Sequence, residues 1–158
     1  MAFCRVSNKL EFIMFKSILW PVDGSPLSFL PLHTVIKLAR LSQASVLVLS
    51  VAEPRLYRAS DPESVATGTE VEAAHLTAAR QEVHKVRAAV KQAGVACDDL
   101  DALSALPSAE IVNIAEQRGC DLIVMATRGK VGLIDTLLNP SCTREVIEAS
   151  RVPVLVLP

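Results

Sequence analysis

The chain has 158 residues, 51% hydrophobic and 21% charged, with only 4% aromatics and 16 Lys plus Arg against 17 Asp plus Glu. That length and a mean hydropathy of +0.37 fit one domain with a substantial aliphatic core and exclude a disordered chain. A formal net charge of −1 lacks the basic surplus of a dedicated nucleic-acid binder, and no apolar run approaches the roughly 18 residues that a membrane helix needs.

The opening "MAFCRVSNKLEFIM" has neither a continuous apolar stretch nor a small-residue cleavage site, so it does not read as a secretion signal. Met14 stands directly before the first apolar run, and residues 1–14 are expected to be a flexible extension of a single domain over 15–158. Cys4, Cys97, Cys120 and Cys142 form no C-x-x-C pair, which suggests reduced thiols in the cytoplasm.

Phe15 to Val22, "FKSILWPV", is predicted as a strand feeding the turn Asp23-Gly24-Ser25. A helix follows whose start is blurred by Pro26 and Pro31, with Leu32, Val35, Ile36 and Ala39 on one face. Ser45 to Val51, "SVLVLSV", is apolar on both faces, as a central parallel strand is. Glu53 to about Glu70 reads as a loop. Leu76, Ala79, Val83, Val86 and Val90 then mark an amphipathic helix with Gly94 as its C-terminal stop. Asp99 to Leu106 is a weaker strand, and Pro107-Ser108 is expected to cap a helix that turns Ile111, Ile114 and Ala115 inward and stops at Gly119. Cys120 to Ala126 is strand four. Ser141 or Thr143 begins a last helix through about Ser150, and Val152 to Leu157 closes the chain as strand five.

Such alternation of strand and helix calls for a parallel sheet with right-handed crossovers and helices on both faces. Ligands gather at the carboxyl ends of such strands, where strand order reverses. Asp23, the stretch after Val51 and the stretch after Met125 are delivered there. A carboxylate at Asp23 can accept hydrogen bonds from ribose hydroxyls or an adenine amine, or it can bond the backbone of its own turn. Thr127-Arg128-Gly129-Lys130-Val131-Gly132 joins two cations to two glycines that allow close approach of backbone amides to an anion; a plain surface turn is the alternative. Ser141 stands at the expected start of the last helix, where a hydroxyl and free amides suit a phosphate. Trp20 reads as core rather than as an adenine platform. Cys142 reads as an inert thiol rather than one activated by a helix amino end. His33, His75 and His84 are scattered over helical segments with no nucleophile placed beside them.

"ILWPVDGS", "SVLVLSVAEP", "LPSAEIVNIAEQRGCDLIVMATRGKVGL" and "REVIEASRVPVLVLP" together resemble the universal stress protein family from about Phe15 to Pro158. The resemblance implies a five-stranded parallel sheet of Rossmann-like or flavodoxin-like order 3-2-1-4-5 and a homodimer joined through the last strands. It also implies an adenine nucleotide, ATP or another, with Mg as its companion ion. Carried onto this chain, the nucleotide contacts fall at Pro21, Val22, Asp23, Val51, Met125, Ala126, Arg128, Gly129, Gly132, Asn139, Ser141 and Cys142. The nucleotide-binding branch carries Gly, two residues, Gly, nine residues, then Gly-Ser or Gly-Thr. Here the first glycine is Ala126, the second is Gly129, and the closing pair has become Asn139-Pro140-Ser141. Pro140 removes a backbone donor, and one charge-assisted hydrogen bond to phosphate is worth roughly 1.5–3 kcal/mol. Adenine recognition through Asp23 and Val51 is thus expected to survive better than phosphate grip.

Three functions follow: a dimeric nucleotide-binding regulator, a nucleotide-free interaction module of the same fold, and a slow ATPase. The last is the weakest, because no residue is positioned by sequence to activate water.

Overall fold

The computed structural model describes residues 14–23, 26–52, 77, 80–81, 83–126 and 142–158. The expected extension over 1–13, the loop from Glu53 to Glu70, Leu76, Ala79 and the segment 127–141 lie outside the described residues.

Five strands form one parallel sheet: β1 (Ser17–Val22), β2 (Ser45–Ala52), β3 (Cys97–Leu103), β4 (Leu122–Ala126) and β5 (Val154–Leu157), in the order β3-β2-β1-β4-β5. Helices α1 (Leu32–Ser42), α2 (helical over 83–92), α3 (Pro107–Gln117) and α4 (Cys142–Ala149) connect them. The order expected from the resemblance is the order observed.

Alternation along the strands divides the core in two. Ile18, Trp20, Val22, Val46, Val48, Leu122 and Val124 pack on one face against Val35 and Ala39 of α1 and Val83, Val86 and Val90 of α2. On the other face Leu19, Leu49, Ile123 and Met125 meet Ile111, Ile114 and Ala115 of α3 and Val146 of α4. Burying a Val, Leu, Ile or Met side chain contributes about 1.5–3 kcal/mol, so both faces are needed to offset the conformational entropy of so small a chain.

Three helices end alike. The amides of Ala44, Val95 and Cys120 each bond a carbonyl five residues back, at Ala39, Val90 and Ala115. Each turn needs a left-handed residue before that amide: Gly94 at φ +78° after α2 and Gly119 at φ +64° after α3, as expected. After α1 that position is Gln43 at φ 56°, which costs roughly 1–2 kcal/mol and which the sequence does not signal.

Several boundaries shift for identifiable reasons. Phe15 and Lys16 precede β1 rather than begin it. The region of Pro26 and Pro31 resolves into a short 3-10 turn, Pro26–Phe29, followed by α1, whose first bond runs from the Val35 amide to the Pro31 carbonyl. β3 begins at Cys97, opposite Val46, and stops at Leu103, because the Leu106 amide turns back onto the Ser104 hydroxyl at 3.1 Å. Ser108 does not cap α3. Leu106 occupies that position without a side-chain bond, Pro107 opens the helix, and the buried Ser108 hydroxyl donates to Glu145 on α4. β4 begins at Leu122, since Cys120 is taken by the turn after α3 and Asp121 by a bond to β1. Before β5, Ser150 and Val152 bond each other, which delays the strand to Val154.

At the amino end of the sheet the Asp121 carboxylate accepts from the amides of Lys16 at 2.8 Å and Ser17 at 3.0 Å, while the Asp121 amide donates to the Ser17 carbonyl at 2.9 Å. The two edge strands differ in chemistry. β3 carries Asp98, Asp99 and Asp101, with Arg87 of α2 on Asp99 at 2.6 Å and Arg80 on Asp101 at 3.5 Å. β5 reads Val-Leu-Val-Leu and is half-buried throughout.

Candidate functional site

The sheet's order reverses between β1 and β4, since β1 leads to β2 on one side and β3 crosses over to β4 on the other. Pairing between these two strands runs through Ile18↔Leu122 and Leu19↔Ile123, near their amino ends. Trp20–Val22 and Val124–Ala126 make up the carboxyl halves of the two strands, the end at which this architecture receives ligands.

Asp23 directly follows Val22 at the carboxyl end of β1 and is exposed. Val22 is buried toward α1 and α2, whereas Pro21 is half-buried. Val51 of β2, Met125 of β4 and Cys142 at the start of α4 join the cluster on the opposite face. The fold thus brings Val51, Met125 and Cys142 to one side of the sheet, with Asp23 exposed after β1 and Ala126, half-buried, ending β4. Arg128, Gly129, Gly132, Asn139 and Ser141 lie outside the described residues, as does Pro140.

Trp20 is fully buried, as its core reading requires, and does something further. Its indole N–H donates to the Ser28 carbonyl at 3.1 Å, which ties the 3-10 turn after Asp23 back onto β1. That turn touches both β1 and β4.

The amino end of α4 is held at two places that sequence reasoning missed. The Thr143 hydroxyl donates to the Ala126 carbonyl at 3.3 Å, and Glu145 accepts from Ser108 on α3. The signal available in the sequence was a hydroxyl and a carboxylate in a first helical turn; their partners, 17 and 37 residues away, were not readable. A cavity of about 410 Å³ lined by Ser17, Ser45, Arg87, Asp99 and Arg118 lies at the amino ends of the strands. Its opposed charges select no ligand chemistry. No group of three or more metal-ligating side chains occurs among the described residues, and no described helix is long and apolar enough to cross a membrane. His33 and His84 are exposed on helices.

Burial pushes the Cys97 thiol up from 9.0 to about 11. Cys120 is raised by the same cause, against a lowering hydrogen bond from Ser17. Cys97 opens β3 and Cys120 shortly precedes β4, so both thiols lie at the amino ends of these strands.

The profile of the universal stress protein family matches residues 14–158. Universal stress protein Sll1654 of Synechocystis sp. is 33% identical, covering 92% of this chain and 87% of its own length. Universal stress protein MJ0577 of Methanocaldococcus jannaschii is 29% identical over 92% and 96%. The solved structure of the MJ0577 protein has a TM-score of 0.74 at 30% identity, covering 91% of this chain and 96% of that one. Two further solved universal stress proteins share the fold: one in complex with cAMP, at 19% identity and TM-score 0.65 over 90% and 96%, and one from Archaeoglobus fulgidus in complex with dAMP, at 18% and 0.57 over 92% and 99%. The sheet order, the two-faced core and the match along residues 14–158 together make this chain a member of the universal stress protein family.

Proposed function

We propose that this chain is a cytoplasmic, dimeric adenine-nucleotide-binding protein that acts as a sensor or regulator in stress responses, with a weakened grip on phosphate. The observation that carries the reading is the reversal of strand order between β1 and β4, with Asp23 exposed at the carboxyl end of β1. Relatives of the same fold in complex with cAMP and dAMP support adenine as the base. In this reading Pro21, Val22, Asp23 and Val51 hold the adenosine end. Met125, Ala126, Arg128, Gly129, Gly132, Asn139, Ser141 and Cys142 serve the phosphates, with Mg as their companion ion. No residue is given a catalytic role.

A second reading, a nucleotide-free interaction module, is favoured by the changed positions: Ala126 for the family's first glycine and Asn139-Pro140-Ser141 for its closing pair. Calorimetric titration with AMP, ADP and ATP separates the two. Micromolar binding, similar for AMP and ATP and lost on Asp23→Ala, is the expected result. Neither heat nor a thermal shift at millimolar nucleotide leaves the second reading alone standing. Phosphate release above a Gly129→Ala control would instead revive the slow ATPase.

A further inference from the structure

Three strands end in step at the carboxyl end of the sheet. Val22 of β1 stands opposite Ser50 of β2, and Ser50 opposite Asp101 of β3. The next residues outward are Asp23, Val51 and Ala102, and one step beyond them Ala52 faces Leu103. Neighbouring strands lie about 4.8 Å apart, so this row runs about 10 Å from Asp23 to β3, close to the reach of a nucleoside laid across it. At that end β3 brings two leucines that the core does not take up: Leu103 is 71% exposed and Leu106 67%. Both stand on fixed backbone. Leu103 is the last residue of β3, paired with Ala52, while the Leu106 amide donates to the Ser104 hydroxyl at 3.1 Å and its carbonyl accepts from the Glu110 amide at 3.1 Å.

We propose that Leu103 and Leu106 form the apolar wall against which the base of the bound nucleotide rests, with Asp23 at the ribose and Val51 between them. The inference rests on the nucleotide reading above and adds to it the residues that receive the base. A purine is flat and apolar on its faces, and taking it out of water together with two leucines is favourable whatever hangs on the ribose. Leucine has no donor or acceptor, so the wall favours a broad apolar ring by area and leaves the polar edge of the base to Asp23 and the backbone of β2. Side chains carried on backbone that is already fixed lose little freedom when the base arrives. The contribution is therefore the same for AMP and ATP.

Leu103→Ser and Leu106→Ser, singly and together, are titrated with AMP and ATP beside the parent, and each is melted without ligand. Leu41→Ser is the control, since it removes a leucine that is 82% exposed on the last turn of α1, at the other end of the sheet. Exposed side chains contribute little to the fold, so all the variants are expected to melt near the parent. The paired variant is expected to bind AMP and ATP about 5- to 20-fold more weakly, by the same factor for both, with a part of that loss in each single variant and none in the control. Unchanged affinity in the paired variant, a loss that grows from AMP to ATP, or an equal loss in Leu41→Ser overturns the inference while the nucleotide reading stands. A parent that binds neither nucleotide removes that reading and this inference with it.

Discussion

Cys97 opens β3 with 4% of its surface exposed, and burial outweighs Lys91 and Arg87 in pushing its thiol up to about 11. A thiol that titrates at 9.0 in the unfolded chain and about 11 in the folded one holds its proton more tightly when folded. Its contribution to stability is complete below pH 9 and is lost as pH rises through about 11. Urea unfolding of Cys97→Ala between pH 8 and 11 is expected to show a shallower alkaline decline than the parent; identical slopes would assign the decline to other groups. Among single residues, what the sequence made readable followed local rules. Gly94 and Gly119 stop helices because the chain there needs positive φ, and Trp20, in an apolar strand, is core. What stayed hidden depended on distant partners. Ser108 satisfies the local rule for a cap, yet Glu145 captures its hydroxyl; Thr143 looks like an ordinary helical threonine until Ala126 is placed beside it.

Among elements, the attachment of β4 to β1 is uneven along its length. At the amino end the Asp121 carboxylate takes two β1-side amides, so the strands are stapled where their pairing begins. Asp121→Ala leaves those amides without their acceptor, and hydrogen bonds to a charged group predict a loss of about 1–3 kcal/mol in urea unfolding. A loss below a few tenths would mean that water replaces the carboxylate at no cost. Strand and helix identities were readable because period two and period 3.6 are imposed by burial on one face or two. Their ends were not, because a bend at Ser104, a mutual bond at Ser150 and Val152, and this carboxylate each override the apolar pattern by a residue or more. The reversal of strand order beside β1 and the place of Asp23 at that strand's carboxyl end were readable from the alternation and the family resemblance. Which face each neighbour shares required the folded sheet: Val51, Met125 and Cys142 fall together on the α3 and α4 side.

For the whole molecule, alternation predicted a parallel sheet but not its order, which came from the family resemblance; β5 is then an edge strand because nothing follows it in that order. The proposed dimer uses this edge. Val156 lies there half-buried, opposite Met125. A lysine at Val156 sets like charges against each other across a two-fold axis. Sedimentation is expected to report a monomer for Val156→Lys with unchanged helical content, and a dimer that persists would place the interface elsewhere. The opposite edge bears Asp98, Asp99 and Asp101, two of them already engaged by arginines. A second copy added at β5 therefore presents a fence of carboxylates on both outer flanks. In the proposed dimer, growth through β5 would leave only these carboxylate-bearing strands at the described edges, which disfavours a third chain and would hold assembly by this route at two.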